Sequence, residues 1–330
     1  MERSKYVLVT GATGFIGAHI VDERLRRGFR VRGSTRTLAK GEEMIKTRAQ
    51  YADKLDFIEV GGFENTNVFD GKMEGIDGII HVANPFTYDV KDNERELIQP
   101  AKNGVHAIMS AAEAQPNIKR IVITSSFAAV LNADARHLLT SITRVMIGTL
   151  IAYRAAKKYA ELVAWDWIRA IDEGKSRHFD LVTLCPPMTF GPVVHPVSGV
   201  SKLNESNAML WKIAKGETPL PVARVPFWID VRDLAVALVE ALLRPEAGGK
   251  RYLLGANDRF SYGLAAKIMA DNFDWARDTV AQEEQVIDTS HGLENKTAAK
   301  ELGLNYRTFD QTVVDLVTQA RKMDIEETKS

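Results

Sequence analysis

The sequence predicts an α/β chain, a doubly wound parallel sheet with helices on both faces, followed by a smaller C-terminal lobe. Three observations predict it. Short β-branched runs alternate with helical patterns through the first two-thirds of the 330 residues, as in a parallel sheet covered on both sides. A glycine-rich turn, Gly11-Ala12-Thr13-Gly14-Phe15-Ile16-Gly17, joins the first such run to the first helical one. After Cys185 the texture changes to PPMTFGPVVHPVSG, rich in Pro and Gly, which reads as loop.

The elements follow in order. YVLVT (6–10) is a buried strand, and FIGAHIVDERLRRG after the turn is a helix. Further strands are expected at FRVRGS (29–34), LDFIEV (55–60), GIIHVA (78–83), RIVITS (120–125) and DLVTLC (180–185). Helical spacing separates them near 92–114 and 152–171. Beyond the loop, NESNAMLWKIAKG is a short helix, VRDLAVALVEALLR (231–244) a helix that covers a sheet, and KRYLLG (250–255) a late strand. The expected division is a first domain over 1–185, to which 229–255 returns, and a smaller lobe from 186–228 and 256–330.

Composition narrows the function classes. Forty-three basic and 43 acidic residues give a formal net charge of +0, which argues against nucleic acid or an acidic membrane surface as main partner. A single cysteine forms no intrachain disulfide, and the N-terminus enters a strand almost at once, so a cytoplasmic setting is expected; a monomer or homodimer is the expected state. The seven histidines show no H-E-x-x-H spacing, no metal is expected, and no G-x-S-x-G elbow is present.

The glycine turn meets three physical needs. Gly11 lets the chain turn sharply, Gly14 lets backbone approach a phosphate, and Gly17 lets the helix pack closely on the strand. With Thr13, Phe15 and Ile16 at the helix N-terminus, the turn offers unpaired N–H groups to a pyrophosphate. Strand, turn and helix together are the context of a Rossmann dinucleotide site. About twenty residues on, where an NAD site places an acid, the chain reads RGSTRTLAK, with no acid between Arg30 and Gly41. Arg36 and Lys40 suit a 2′-phosphate, so NADPH/NADP+ is the expected cofactor; the bland alternative is a solvated basic loop.

Tyr153 and Lys157 stand four residues apart on the helix AYRAAKKYAELVAWDW, and so share one face. A Ser pair, Ser125 and Ser126, ends the fifth strand. With VTGATGFIGAHIV, HVANPF, KRIVITSS, YRAAKKYAELVAWDWI, PPMTFGP, RYLLG and KTAAKELGLNYRTFDQTVVDLV in that order, the chain resembles the extended short-chain dehydrogenase/reductases. Within them it looks like the branch of dihydroflavonol 4-reductases, cinnamoyl-CoA reductases and fungal NADPH-dependent carbonyl reductases. The resemblance implies that Tyr153 is the general acid, that Lys157 lowers its pKa and binds the nicotinamide ribose, and that Ser126, with Ser125 as runner-up, polarises the substrate oxygen. It also implies that Ala83 lines the cofactor cleft and that Pro186 begins a segment beside the nicotinamide. His81 reads as a core histidine, and Phe86, Phe190 and Trp211 as pocket walls or, more simply, packing.

Four departures from the family pattern stand out. Gly61-Gly62-Phe63 replaces an Asp and an apolar residue after the third strand, and Gly104-Val105-His106-Ala107 lacks the asparagine of G-T-x-N. Y-x-x-S-K has become Tyr153-Arg154-Ala155-Ala156-Lys157, and LNADARHLLTSITRVMIGTLI differs most, on the substrate side. The expected activity is NADPH-dependent reduction of a ketone or aldehyde in a small organic or secondary-metabolite molecule. Two alternatives stand beside it. A nucleotide-sugar epimerase or dehydratase typically carries an acid after the second strand; a non-catalytic NADPH-sensing module needs no Tyr-Lys pair.

Overall fold

The chain is seen as a computed structural model, described over residues 5–84, 91–130, 144–172 and 178–329. Seven strands form one sheet: β1 (Tyr6–Thr10), β2 (Arg30–Thr35), β3 (Leu55–Glu59), β4 (Gly78–His81), β5 (Arg120–Thr124), β6 (Asp180–Cys185) and β9 (Arg251–Leu253), in the order β3-β2-β1-β4-β5-β6-β9. From β3 through β6 every pairing is parallel. This is the Rossmann order, and the order in which strands are added reverses between β1 and β4, where such sheets leave a crevice at their carboxyl ends. The glycine turn leaves β1 at that point.

Both faces are covered because both sides of the strands are apolar. Tyr6, Leu8, Ile79, Ile121, Ile123 and Leu181 form one core with α3 (Gln99–Glu113) and α4 (Arg144–Asp172). α4 contributes Ala152, Ala156, Ala160 and Ala164 at four-residue spacing, a small-residue face that lets it lie close against α3. α1 (Phe15–Arg26) packs on β1 and β2. α4 begins at Arg144, upstream of the expected Ala152, and the helix expected near 92–114 opens as a π turn, Glu94–Ile98, before α3. A further helix, α2 (Leu38–Lys46), occupies what reads as a basic loop. Its Gly41 and Met44 are buried, and a Cβ on Gly41 would meet the Phe57 ring at 2.7 Å.

The chain divides into two compact units, Met1–Cys185 with Ala237–Tyr252, and Pro186–Val236 with Leu253–Ser330. In the first, Arg120 is buried and bidentate to Asp180, Nε to Oδ1 at 2.6 Å and Nη2 to Oδ2 at 2.8 Å, and its Nη1 donates to the Ala241 carbonyl at 2.9 Å. This ion pair fastens the return of the chain to the base of β5 and β6. In the second unit, β7 (Met188–Phe190) pairs parallel with β8 (Trp228–Asp230). PPMTFGP is therefore not all loop: three of its residues form a strand too short, and too closely flanked by Pro and Gly, to leave a periodic signal. Around the pair stand α5 (Glu205–Ala214), the start of α6 (Val231–Leu243), α7 (Tyr262–Asn272), α8 (Asp274–Arg277), α9 (Lys296–Leu302) and α10 (Phe309–Lys329). Rings of Phe190, Trp228, Phe260 and Phe309 pack at centroid distances of 4.9 to 6.0 Å. Phe190 and Trp211 are buried packing residues, and Phe86 lies outside the described residues. Among the described residues no helix is long and apolar enough to cross a membrane, and no group of three metal-ligating side chains occurs.

Candidate active site

The glycine turn is tight for reasons visible atom by atom. Gly11 adopts φ +66°, and a Cβ there would lie 3.1 Å from the backbone of Ala83, beyond the end of β4. At Gly17 a Cβ would fall 2.1 Å from the Gly11 carbonyl oxygen, so only glycine lets α1 rest on the turn. Gly14 differs. It is extended and exposed, and the nearest atom to a Cβ is the Gly11 oxygen at 3.3 Å; a side chain there would fill the space beside the helix N-terminus. The first carbonyl used by α1 is that of Gly14, which accepts from Ala18 N–H at 3.0 Å. The N–H groups of Phe15, Ile16 and Gly17 thus have no acceptor within the helix, and its first turn carries no acid. A glycine cradle, free N–H groups and a positive helix end fit the pyrophosphate of a dinucleotide.

Thr13 Oγ1 lies 3.4 Å from Thr35 Oγ1, which ties the turn to the end of β2. Arg36 and Lys40, just beyond, are exposed, and neither has an ion-pair partner among the described residues. Sequence reasoning missed Glu59. It comes from β3, pairs in register with Thr35, and its Oε2 accepts from Leu38 N–H at 3.1 Å. The acid that RGSTRTLAK lacks is thus present nearby, spent on the start of α2 rather than free for a ribose. Phe63, in the altered Gly-Gly-Phe segment, packs inward against Phe69 and His81, at centroid distances of 6.4 and 6.1 Å. Its carbonyl accepts from Asn103 Nδ2 at 2.9 Å.

Ala83 is held by Thr10. The Thr10 hydroxyl accepts from Val82 and Ala83 N–H, both at 3.0 Å, and lies 2.9 Å from His81 Nδ1. With both lone pairs used, its one hydrogen goes to the histidine. Nδ1 is therefore unprotonated and the ring neutral. Burial, with Lys157 nearby, pushes the His81 pKa down to about 3, in keeping with a core histidine.

Ser126, Tyr153 and Lys157 come together at the carboxyl end of β5. Ser126 caps a short 3-10 turn (Phe127–Ala129), its Oγ accepting from Ala128 N–H at 3.1 Å. Tyr153, half-buried on α4, shares a hydrogen bond with Ser126. Ser125 is turned the other way and donates to the Glu161 carboxylate at 2.5 Å. The structure therefore separates the two serines: one faces the tyrosine, the other the core. Lys157 is buried, with Nζ 3.3 Å from the Thr124 carbonyl. Burial brings its ammonium down to about 8, against the attraction of the Glu161 carboxylate.

The expectation that Lys157 lowers the Tyr153 pKa is not met. Burial pushes the phenol above its ordinary value, and the Ser126 hydrogen bond counters only part of that. Lys157, buried with its Nζ by the Thr124 carbonyl, is not among the groups that move the phenol. Of the altered segment, 131–151, residues 131–143 lie outside the described residues and the rest opens α4, and Pro186 is buried as the first residue of the second unit.

The sequence pattern of the NAD dependent epimerase/dehydratase family matches residues 7–255. The chain belongs to that family. This epimerase/dehydratase family member, of the extended short-chain dehydrogenase/reductase type, is 34% identical over 329 residues to an oxidoreductase of Schizosaccharomyces pombe, covering 94% of this chain and 95% of the relative. It is 31% identical over 335 residues to ketoreductase azaE of Aspergillus niger, covering 96% and 97%. Its fold matches the crystal structure of yeast methylglyoxal/isovaleraldehyde reductase Gre2 complexed with NADPH, with TM-score 0.84 and 26% identity over 97% of this chain and 99% of that one. The doubly wound sheet of this family member and its branch resemblance are both met.

Proposed function

We propose that the chain reduces a ketone or aldehyde of a small organic molecule to an alcohol with NADPH, Tyr153 acting as general acid and Lys157 and Ser126 assisting. The observation that carries this reading is the Ser126–Tyr153 hydrogen bond formed beside a buried Lys157 at the end of β5. Names of similar proteins support it: a ketoreductase and a methylglyoxal/isovaleraldehyde reductase complexed with NADPH.

Each residue has a task. The N–H groups of Phe15, Ile16 and Gly17 hold the pyrophosphate, while Arg36 and Lys40 hold the 2′-phosphate by charge-assisted hydrogen bonds. Ala83 lines the same cleft, and Pro186 begins the segment beside the nicotinamide. When bound, NADPH supplies the hydride. Tyr153 Oη gives its proton to the substrate oxygen as negative charge builds there, and Ser126 Oγ steadies that charge. A phenol held above its ordinary pKa keeps its proton at neutral pH, which is the form a reduction needs. The Lys157 ammonium then stabilises the phenolate left behind, at a site where low dielectric strengthens the attraction.

The test is oxidation of NADPH and NADH by the purified chain over a panel of ketones and aldehydes. The expected result is turnover with a subset of carbonyls and preference for NADPH. Absence of turnover with every carbonyl refutes the reading.

A further inference from the structure

One buried group beside this site has no part in the scheme above. Glu161 lies one helical turn beyond Lys157 on α4 and is 5% exposed. Its carboxylate takes donors from four residues, Ser125 just after β5, Thr183 and Cys185 on β6, and Arg251 on β9. Oε1 accepts from Thr183 Oγ1 at 3.1 Å and Arg251 Nε at 2.5 Å. Oε2 accepts from Ser125 Oγ at 2.5 Å, Arg251 Nη2 at 3.1 Å and, weakly, Cys185 Sγ at 3.8 Å. Those five contacts saturate a carboxylate. Glu161 and Lys157 also line one cavity of about 10 Å³, with His81, Asn84, Thr124 and Ser125 among its other walls. The space is about that of one water.

We propose that Glu161 is a positioning residue for the reaction: its buried charge keeps the Lys157 ammonium protonated over the working pH range, and its bond to Ser125 turns that serine inward so that Ser126 alone meets Tyr153. This rests on the reductase reading given above. A tie between β5, β6 and β9 could be made by a neutral amide, which forms hydrogen bonds without the cost of burying a charge. Here, however, every partner is a donor and Arg251 reaches both oxygens, so an amide, whose nitrogen donates, would leave donors and the guanidinium unpaired. The site is built for a charged carboxylate, and that charge also lies one helical turn from Lys157.

The charge acts on a lysine with few other anions near it. The groups around Lys157 are Tyr153 on its own helix, neutral His81 on β4, the Thr124 carbonyl on β5 and the Cys185 thiol at the end of β6. Burial pushes that thiol up to about 12, so it stays uncharged. Arg251 on β9, paired with Glu161, is the opposing charge. Glu161, which lines the same small cavity, is thus the ionised acid acting on Lys157 among the described residues, and its own pKa lies below the usual range because Arg251, Ser125 and Thr183 donate to it against the burial cost.

Two variants act in opposite directions. Glu161→Gln keeps the shape and removes the negative charge, whereas Arg251→Gln removes the charge that offsets it. Titration of Lys157 is read by NMR of lysine-labelled chain without cofactor, its signal assigned by loss in Lys157→Met. In parallel, the alkaline limb of kcat/KM is read with NADPH and an accepted carbonyl. The expected result is a Lys157 midpoint and an alkaline limb lowered by about one pH unit or more in Glu161→Gln, and raised or unmoved in Arg251→Gln. A midpoint that stays in place in Glu161→Gln, or that falls in Arg251→Gln should the first variant not fold, overturns the proposal. So does a limb that fails to follow the midpoint. Wild-type chain that oxidises no NADPH would instead refute the reductase reading, while the NMR midpoint still reports on Glu161.

Discussion

Replacing Lys157 by methionine is expected to abolish reduction and yet make the chain more stable. Lys157 is buried, 9% exposed, and desolvation brings its pKa from 10.5 to about 8. The unfolded chain therefore holds this proton more tightly than the folded one, and stability rises with pH between about 8 and 10.5. Below about pH 8 both states are protonated and the folded state carries the full cost, on the order of 3 kcal/mol. Methionine fills the stem's volume without the charge, and Arg251 still neutralises Glu161. The lost bond to the Thr124 carbonyl is long, at 3.3 Å, and recovers little of that sum. Urea unfolding of wild type and variant at a series of pH values checks this. The variant should have the higher midpoint at pH 7 and no rise between pH 8 and 10. A lower midpoint at pH 7, or an unchanged alkaline rise in the variant, refutes the reasoning that this lysine is held charged at the expense of stability.

Gly17→Ala places a Cβ 2.1 Å from the Gly11 oxygen and is expected to cost roughly 3 kcal/mol or more and to weaken NADPH binding. Gly14→Ala, whose Cβ meets that oxygen at 3.3 Å, should weaken NADPH binding with far less loss of stability; calorimetric titration and urea unfolding separate the two. Arg36→Ala should reduce the preference for NADPH over NADH by about tenfold or more, read from the two kcat/KM values. The neutral His81 makes the fold sensitive to acid. Its folded pKa, about 3, lies below its ordinary 6.5, so stability falls as pH drops through that window. His81→Gln should flatten the urea midpoint between pH 6.5 and 4, and a slope equal to wild type would contradict the tautomer assigned from Thr10.

Parallel strands announce themselves because they are apolar on both faces. β1 and β6 occupy the expected 6–10 and 180–185, and β2 through β5 fall within a few residues of theirs. The glycine turn was legible for a similar reason, since three glycines at fixed spacing between a strand and a helix have few other uses. Elements held by tertiary contacts were not. β7 is three residues long and exists through its pairing with β8, while α2 depends on Phe57 filling the space over Gly41. At the site, the face shared by Tyr153 and Lys157 follows from spacing alone, whereas the split between Ser125 and Ser126 needed the position of Glu161. That glutamate had a signal, four residues after Lys157 on the same face. A carboxylate at that spacing usually marks a solvated pair, so burial had to be seen. The raised Tyr153 pKa was hidden likewise, because spacing reports charge proximity and not desolvation.

The most direct measurement of the central claim is NADPH-dependent carbonyl reduction by Tyr153→Phe beside wild type, with NADPH affinity measured on both. The phenylalanine keeps the ring and its packing but has no proton to give. If Tyr153 is the general acid, kcat should fall by about 10²–10⁴-fold while NADPH binds almost as before. Wild-type turnover in the phenylalanine variant would contradict the assignment of Tyr153 and the mechanism built on it.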